Sequence, residues 1–118
     1  MWRILIVCVV VYLAITLLTF LMQRKLLYLP DRSSLSEEQA SVQGLRHWPS
    51  QQQFRGFVPL HPGAEPIATV VVFHGNAGAA HHRRYYLDAL APLGFRVVLA
   101  AYPGYGGRAG SPSETVLV

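Results

Sequence analysis

Apolar and polar positions divide this chain into three stretches of different pattern. From Ile4 to Met22 no charged residue interrupts an apolar run, which at ~1.5 Å per residue reaches about 28 Å, close to the ~30 Å hydrocarbon core of a bilayer. The run predicts a helix that continues as a stalk to about Tyr28, because Pro30 disfavours helical geometry at Leu29 and Asp31-Arg32-Ser33-Ser34 is turn-like. The second stretch is polar and weakly periodic. Within it Ser34 and Glu37 stand at capping-box spacing for a short helix over Ser34–Gln43, with no apolar stripe behind it. Phe54, Gly56 and Val58 then alternate with polar neighbours, which predicts an edge strand or hairpin arm closed by Pro59 and His61-Pro62-Gly63.

The third stretch is the most regular. Ile67–Phe73 is an unbroken β-branched and apolar run, the pattern of a strand buried on both faces of a parallel sheet. Arg83–Leu93 places Tyr86, Leu87, Leu90 and Leu93 at helical spacing, with Gly94 as the stop. Phe95–Ala101 is a second buried strand, so the unit reads as strand, helix, strand with a right-handed parallel crossover. The fold class is therefore α/β, and the chain divides into an anchor and stalk (1–28), a linker with an edge strand (29–66) and a partial α/β core (67–118). Two such strands imply a sheet with more strands than this chain supplies.

Composition narrows the function classes. The formal charge is +4, but the basic residues are scattered and not interleaved with aromatics, so nucleic acid is not indicated. Arg24 and Lys25 read as interfacial residues that snorkel to lipid headgroups, which makes the bilayer, reached through Ile4–Met22, the first expected partner. A cleaved signal peptide also begins with a cation such as Arg3, yet its apolar region is shorter and a small-residue cleavage site follows it; here Gln23-Arg24-Lys25 follows. The reading is a single-pass membrane protein with its orientation open. The one cysteine, Cys8, lies within the apolar run and excludes an intrachain disulfide or a thiolate metal site.

Candidate chemistry gathers where the two strands end. Val72-Phe73 breaks into His74-Gly75-Asn76-Ala77-Gly78, a glycine turn that leaves backbone amides free to bind an oxyanion, and Phe95–Ala101 runs into Tyr102-Pro103-Gly104-Tyr105-Gly106-Gly107. These two loops, followed by Gly110-Ser111-Pro112-Ser113-Glu114 and preceded by Arg24-Lys25-Leu26-Leu27-Tyr28-Leu29-Pro30, resemble the membrane-anchored serine α/β-hydrolases of the Bem46 group. The resemblance covers nearly the whole chain and keeps the order and approximate spacing of the motifs. It implies an α/β-hydrolase sheet and hydrolysis of a small-molecule ester or amide, with no cofactor. It also implies that one oxyanion-hole donor is the backbone N–H of Asn76, with Ala77 beside it, while His74, Gly75 and Gly78 shape the loop. On that reading Asn76→Ala is milder than Gly75→Val, whose β-branched side chain opposes a positive φ at a turn glycine. His74 is a loop-fixing residue, since the family's catalytic base lies near the C-terminus.

Other constellations have plainer readings. His81 and His82 are adjacent and diverge on a helix, with no carboxylate cluster nearby, so they read as solvated helix-start residues and no metal site is expected. Gly104-Tyr105-Gly106-Gly107-Arg108-Ala109 fits a permissive dinucleotide fingerprint, but that fingerprint needs a helix to begin at once, and Pro103 and Pro112 bracket a long loop. Ser111-Pro112-Ser113-Glu114 is a capping box with proline at the first helical position, so both serines are cap residues. No serine sits in G-x-S-x-G, and no acid and histidine follow in hydrolase order. The chain is thus expected to be the N-terminal portion of a hydrolase, inactive alone, whether through a partial reading, a premature stop or a frameshift near Thr115-Val116-Leu117-Val118. The alternative is a small single-pass membrane protein whose globular part binds a partner without catalysis.

Overall fold

The computed structural model describes residues 1–117, Leu117 in its backbone alone. Helix α1 runs from Trp2 to Leu27, and none of its residues is buried against the rest of the chain. A helix that is apolar all round must bury its surface somewhere. Since this one does not bury it in the protein, its 26 residues, about 39 Å at ~1.5 Å each, are long and apolar enough to cross a membrane. Arg24 and Lys25 occupy the last turn, where cations suit the helix dipole. The helix ends at Tyr28, which turns to extended geometry ahead of Pro30. The molecule measures 75 × 27 × 22 Å, so α1 takes up about half the long axis and projects from the globular part.

The globular part is a four-stranded mixed sheet with short helices, a small two-stranded pair and long loops. Strands β2 (Leu45–Trp48), β3 (Gly56–Pro59), β4 (Ala68–Phe73) and β6 (Phe95–Ala100) lie in the order β2-β3-β6-β4. The β2–β3 and β3–β6 pairs are antiparallel, while β4 and β6 run parallel, with Ala68 opposite Phe95 and Phe73 opposite Ala100. The expected crossover is therefore present. A separate parallel pair joins β1 (Leu29–Pro30) to β5 (Ala77–Gly78), tying the residues just past α1 to the loop after β4.

Several local expectations shift. Of the two expected forms β3 is the hairpin arm, paired antiparallel with β2, and it is interior, with Gly56, Phe57 and Val58 all buried; the edge on that side is β2, which has no clear alternation in sequence. Leu45–Trp48 and Gly56–Pro59, within the stretch expected as linker and edge strand, thus belong to the main sheet. The pattern of a strand buried on both faces is met by β6, whose Val97, Val98 and Leu99 are buried. It is not met by β4, which ends the sheet among the described residues and leaves Val71 49% and Phe73 61% exposed. The short helix α2 (Glu37–Val42) is capped two residues later than expected: Ser36 Oγ accepts from Gln39 N–H and Gln39 Oε1 accepts from Ser36 N–H. Ser34 is used elsewhere, packed so closely on Gly107 that a Cβ there would meet its side chain.

The crossover is a 3₁₀ turn (Ala80–Arg83), helix α3 (Tyr85–Leu90) and a second 3₁₀ turn (Ala91–Leu93). Pro92 opens that last turn, and Gly94 stops it in left-handed geometry at φ 87°. Of the four expected core positions only Leu87 is buried; Leu90 is half-buried, and Tyr86 and Leu93 are exposed. Breaking the helix into three pieces destroys the common stripe. The final helix, α4 (Glu114–Leu117), starts after Ser113, two residues later than the box at Ser111 predicts; its expected continuation to Val118 lies outside the described residues. The core gathers Leu45, Phe57, Leu87, Val97, Leu99 and Ala101 with Ala40 and Ala80.

Candidate functional site

Parallel β4 and β6 end side by side at Phe73 and Ala100, so the loops that follow them are neighbours. The carboxyl ends of parallel strands are where open α/β sheets bind ligands. The loop after β6 is folded by overlapping turns: Tyr105 N–H donates to Tyr102 O, Arg108 N–H to Tyr105 O, and Gly104 N–H to Arg108 O. The Arg108 guanidinium closes it by donating to Ala101 O. After β6 no helix begins until Glu114, so the glycines lack the helix N-terminus that a dinucleotide fingerprint needs.

Hydrogen bonds on its carbonyls set the loop after β4. His74 is 5% exposed, and its Nδ1 lies 2.8 Å from Gly75 O. A carbonyl only accepts, so Nδ1 carries the proton and Nε2 the lone pair. That bond holds the Gly75–Asn76 peptide plane, in which C=O and N–H point in opposite directions. The next plane is fixed too: Asn76 O accepts from Tyr105 Oη at 2.8 Å and from Leu29 N–H at 3.0 Å. Asn76 N–H finds no acceptor among the described residues. In the Leu29–Ala77 pairing, β1 engages the groups flanking Ala77 and leaves its own N–H pointing away. Two successive amides, on Asn76 and Ala77, thereby point away from the partners that hold the carbonyls of Gly75 and Asn76. A Cβ on Gly75 would meet nothing within 4 Å, so the space beside them is open.

Two expectations about the loop change. Gly75 does not hold a positive φ; Gly78 does, at 84°, and a Cβ there would stand 3.1 Å from His82 Nδ1. The conformational demand for glycine is therefore at Gly78. Asn76 is also more than a backbone donor, because its Nδ2 donates at 2.7 Å to Leu27 O, satisfying one of the carbonyls orphaned at the end of α1. Its side chain secures the loop to the helix, so Asn76→Ala is not a silent change.

Burial pushes His74 below the ordinary histidine value, and the nearby Arg83 and His82 charges add to this, with the Gly75 carbonyl opposing. The ring stays neutral, packed 4.8 Å from each of Tyr102 and Tyr105. Burial also raises the Tyr105 phenol, so it remains a donor. His81 is half-buried against Phe57, not solvated, and is likewise lowered by burial and then by His82. His82 instead accepts from Ala79 N–H and stands 3.7 Å from Asp31, whose carboxyl is held down mainly by Ser33. The two rings are 4.3 Å apart, closer than divergence along a helix predicts. No group of three metal ligands forms among the described residues.

The lowered histidines set a pH dependence. The unfolded chain takes up protons as pH falls through about 6.5 while folded His74 and His81 resist, so stability is whole above that pH and declines below it. Urea unfolding in detergent at pH 7.5 and 5.5 is expected to show this loss, and His74→Phe to reduce it without abolishing it, because His81 remains. An equal or higher midpoint at pH 5.5 in the parent chain contradicts the assignment.

A cleft of about 430 Å³ collects Arg46, His61, Glu65 and Arg96 at the opposite, amino-terminal end of β4 and β6. Open α/β sheets bind ligands at the carboxyl ends of their parallel strands, so the loops there remain the better candidate. Sequence reasoning found both loops but missed Tyr105 and the Asn76 side chain as their fasteners. The Tyr-Pro-Gly-Tyr-Gly motif marked Tyr105, but its partner is 29 residues away and only the fold brings the two together.

The chain is similar to two proteins of Mycobacterium tuberculosis. Uncharacterized protein MT2364 of strain CDC 1551 / Oshkosh is 31% identical over 115 residues, covering 92% of this chain and 41% of its own length. Uncharacterized protein Rv2307c of strain H37Rv is 32% identical over 96 residues, covering 78% of this chain and 34% of its own. The chain therefore spans about two fifths or less of the length of these relatives. A match over 92% of the chain takes in both loops and most of α1. No protein-family model matches, and no solved structure does.

Proposed function

We propose that the chain is the amino-terminal part of a membrane-anchored serine α/β-hydrolase of the Bem46 type, acting on an ester or amide. The observation that carries this reading is the pair of outward amides on Asn76 and Ala77, held by His74, Tyr105 and Leu29. They stand in the loop between the third strand of the main sheet and its crossover helix, the place from which an α/β-hydrolase draws one oxyanion donor. The parallel crossover, the helix able to span a membrane and the open space beside Gly75 agree with it. Attack by a serine hydroxyl on the substrate carbonyl moves the C=O electron pair onto oxygen, and a preorganised N–H stabilises that charge by a few kcal/mol, ~2.7–4 for one donor. Asn76 and Ala77 supply donors on this side; the partner donor follows the nucleophile, which this chain does not contain in G-x-S-x-G form.

A fluorophosphonate probe tests the reading. The 118-residue chain in detergent is expected to show no serine labelling and no esterase activity above background. The same chain extended to the length of the mycobacterial relatives is expected to label at one serine. Stoichiometric labelling of the short chain contradicts the assignment of its serines as caps and loop residues. Absence of labelling in the extended protein favours the non-catalytic interaction reading.

A further inference from the structure

We infer that the site takes its substrate from the bilayer: the scissile ester belongs to a membrane-resident acyl amphiphile and is presented at headgroup depth. This rests on the hydrolase reading and deepens it. The position of α1 argues for it first. A ~30 Å hydrocarbon core holds about 20 helical residues, and the headgroup layer adds ~5–8 Å on each side. With the uncharged run starting at Ile4, the core ends near Gln23, and Arg24 to Leu27 rise through the headgroups.

Leu27 is where the candidate site is fastened. Its carbonyl accepts from Asn76 Nδ2 at 2.7 Å, Leu29 N–H donates to Asn76 O at 3.0 Å, and β1 pairs with β5. The second loop is tied to the same short segment, because Gly106 N–H donates to Asp31 O at 2.8 Å. Arg24 stands 3.8 Å from Glu114, beyond that loop. Both loops thus touch the first residues past the apolar helix. The amino ends of β4 and β6, six residues back at ~3.3 Å each, lie roughly 20 Å from the site. Hence the carboxyl edge of the sheet, with its free amides, is the end nearest the membrane.

Amides at headgroup depth, in a loop fastened to the first residues past the apolar helix, match a molecule whose tail is in hydrocarbon and whose ester is at the interface.

Two measurements separate the siting from the chemistry. In the Cys8→Ser chain, a bimane label on Gly75→Cys is compared with one on Ala64→Cys, each in phosphatidylcholine vesicles carrying a headgroup nitroxide. Strong quenching at position 75 and little at 64 is expected; equal, weak quenching at both overturns the siting whatever the protein catalyses. The extended protein in the same vesicles is then given nitrophenyl laurate, which partitions into the bilayer, and nitrophenyl butyrate, which stays in water. We expect kcat/KM for the laurate to be higher by about tenfold or more, through the raised local concentration. Equal or faster butyrate turnover overturns the substrate class and leaves the hydrolase standing. Turnover of neither overturns the hydrolase reading, and the substrate with it.

Discussion

Gly56→Ala is expected to cost about 3 kcal/mol or more and to leave much of the globular part unfolded at room temperature. A Cβ at this position would fall well inside van der Waals contact of the Leu99 carbonyl oxygen and 3.1 Å from Ala100 Cα. Both belong to the backbone of β6, the other interior strand, so no side chain can swing aside. Relief requires β3 to move from β6, and Gly56 pairs with Ala100 on one side and Trp48 on the other. Moving it opens the contact that buries Phe57, Val97 and Leu99. Gly63→Ala is the control, since a Cβ there meets nothing within 4 Å, and a change within about 0.5 kcal/mol is expected. Urea unfolding in detergent, followed by Trp48 fluorescence, reads both variants, and a Gly56→Ala midpoint equal to the parent's contradicts the packing described.

On the hydrolase reading proposed above, Gly78→Val in the extended protein is expected to lower kcat by ~10²–10³, the cost of misplacing one oxyanion donor. At φ 84° a β-branched residue is strained, and its Cβ presses on His82. The relief available is for β5 to leave β1, which releases the Asn76–Ala77 plane. Gly75→Ala places its methyl in open space without such strain, so it should leave the unfolding midpoint unchanged. Tyr105→Phe should lower kcat less than Gly78→Val does, because Asn76 O keeps its bond from Leu29. Initial rates on one soluble ester, with circular dichroism as the folding control, separate the three. Parent-like kcat in a folded Gly78→Val variant removes this loop from the oxyanion site.

What could be read from residue order alone is local and periodic. The apolar run Ile4–Met22 identified α1, because an uncharged helical stretch has no face to turn toward water, and Pro30 placed its end within a residue or two of Leu27. Val70-Val71-Val72 and Val97-Val98-Leu99 identified β4 and β6, and Gly94 marked the stop between them. Both loops stood out because glycine and proline punctuate a chain wherever they occur.

Tertiary structure decided the rest. Strand β2 carries Leu45, Arg46, His47 and Trp48 with no regular alternation, and it is a strand because β3 offers it a ladder. Burial went to β6 and not to the equally apolar β4, since exposure depends on which strand has neighbours on both sides, a property of sheet order that no single run contains. Ser36 replaced Ser34 as the helix cap because Gly107, far along the chain, takes Ser34 as a packing partner. The site follows the same division. Motif spacing located its amides, whereas their orientation comes from His74, Tyr105 and Leu29, and their attachment to the end of α1 from Asn76 meeting Leu27. Hydrogen bonds between residues dozens of positions apart leave no periodic trace in a sequence, and chain folding alone brings them within reach.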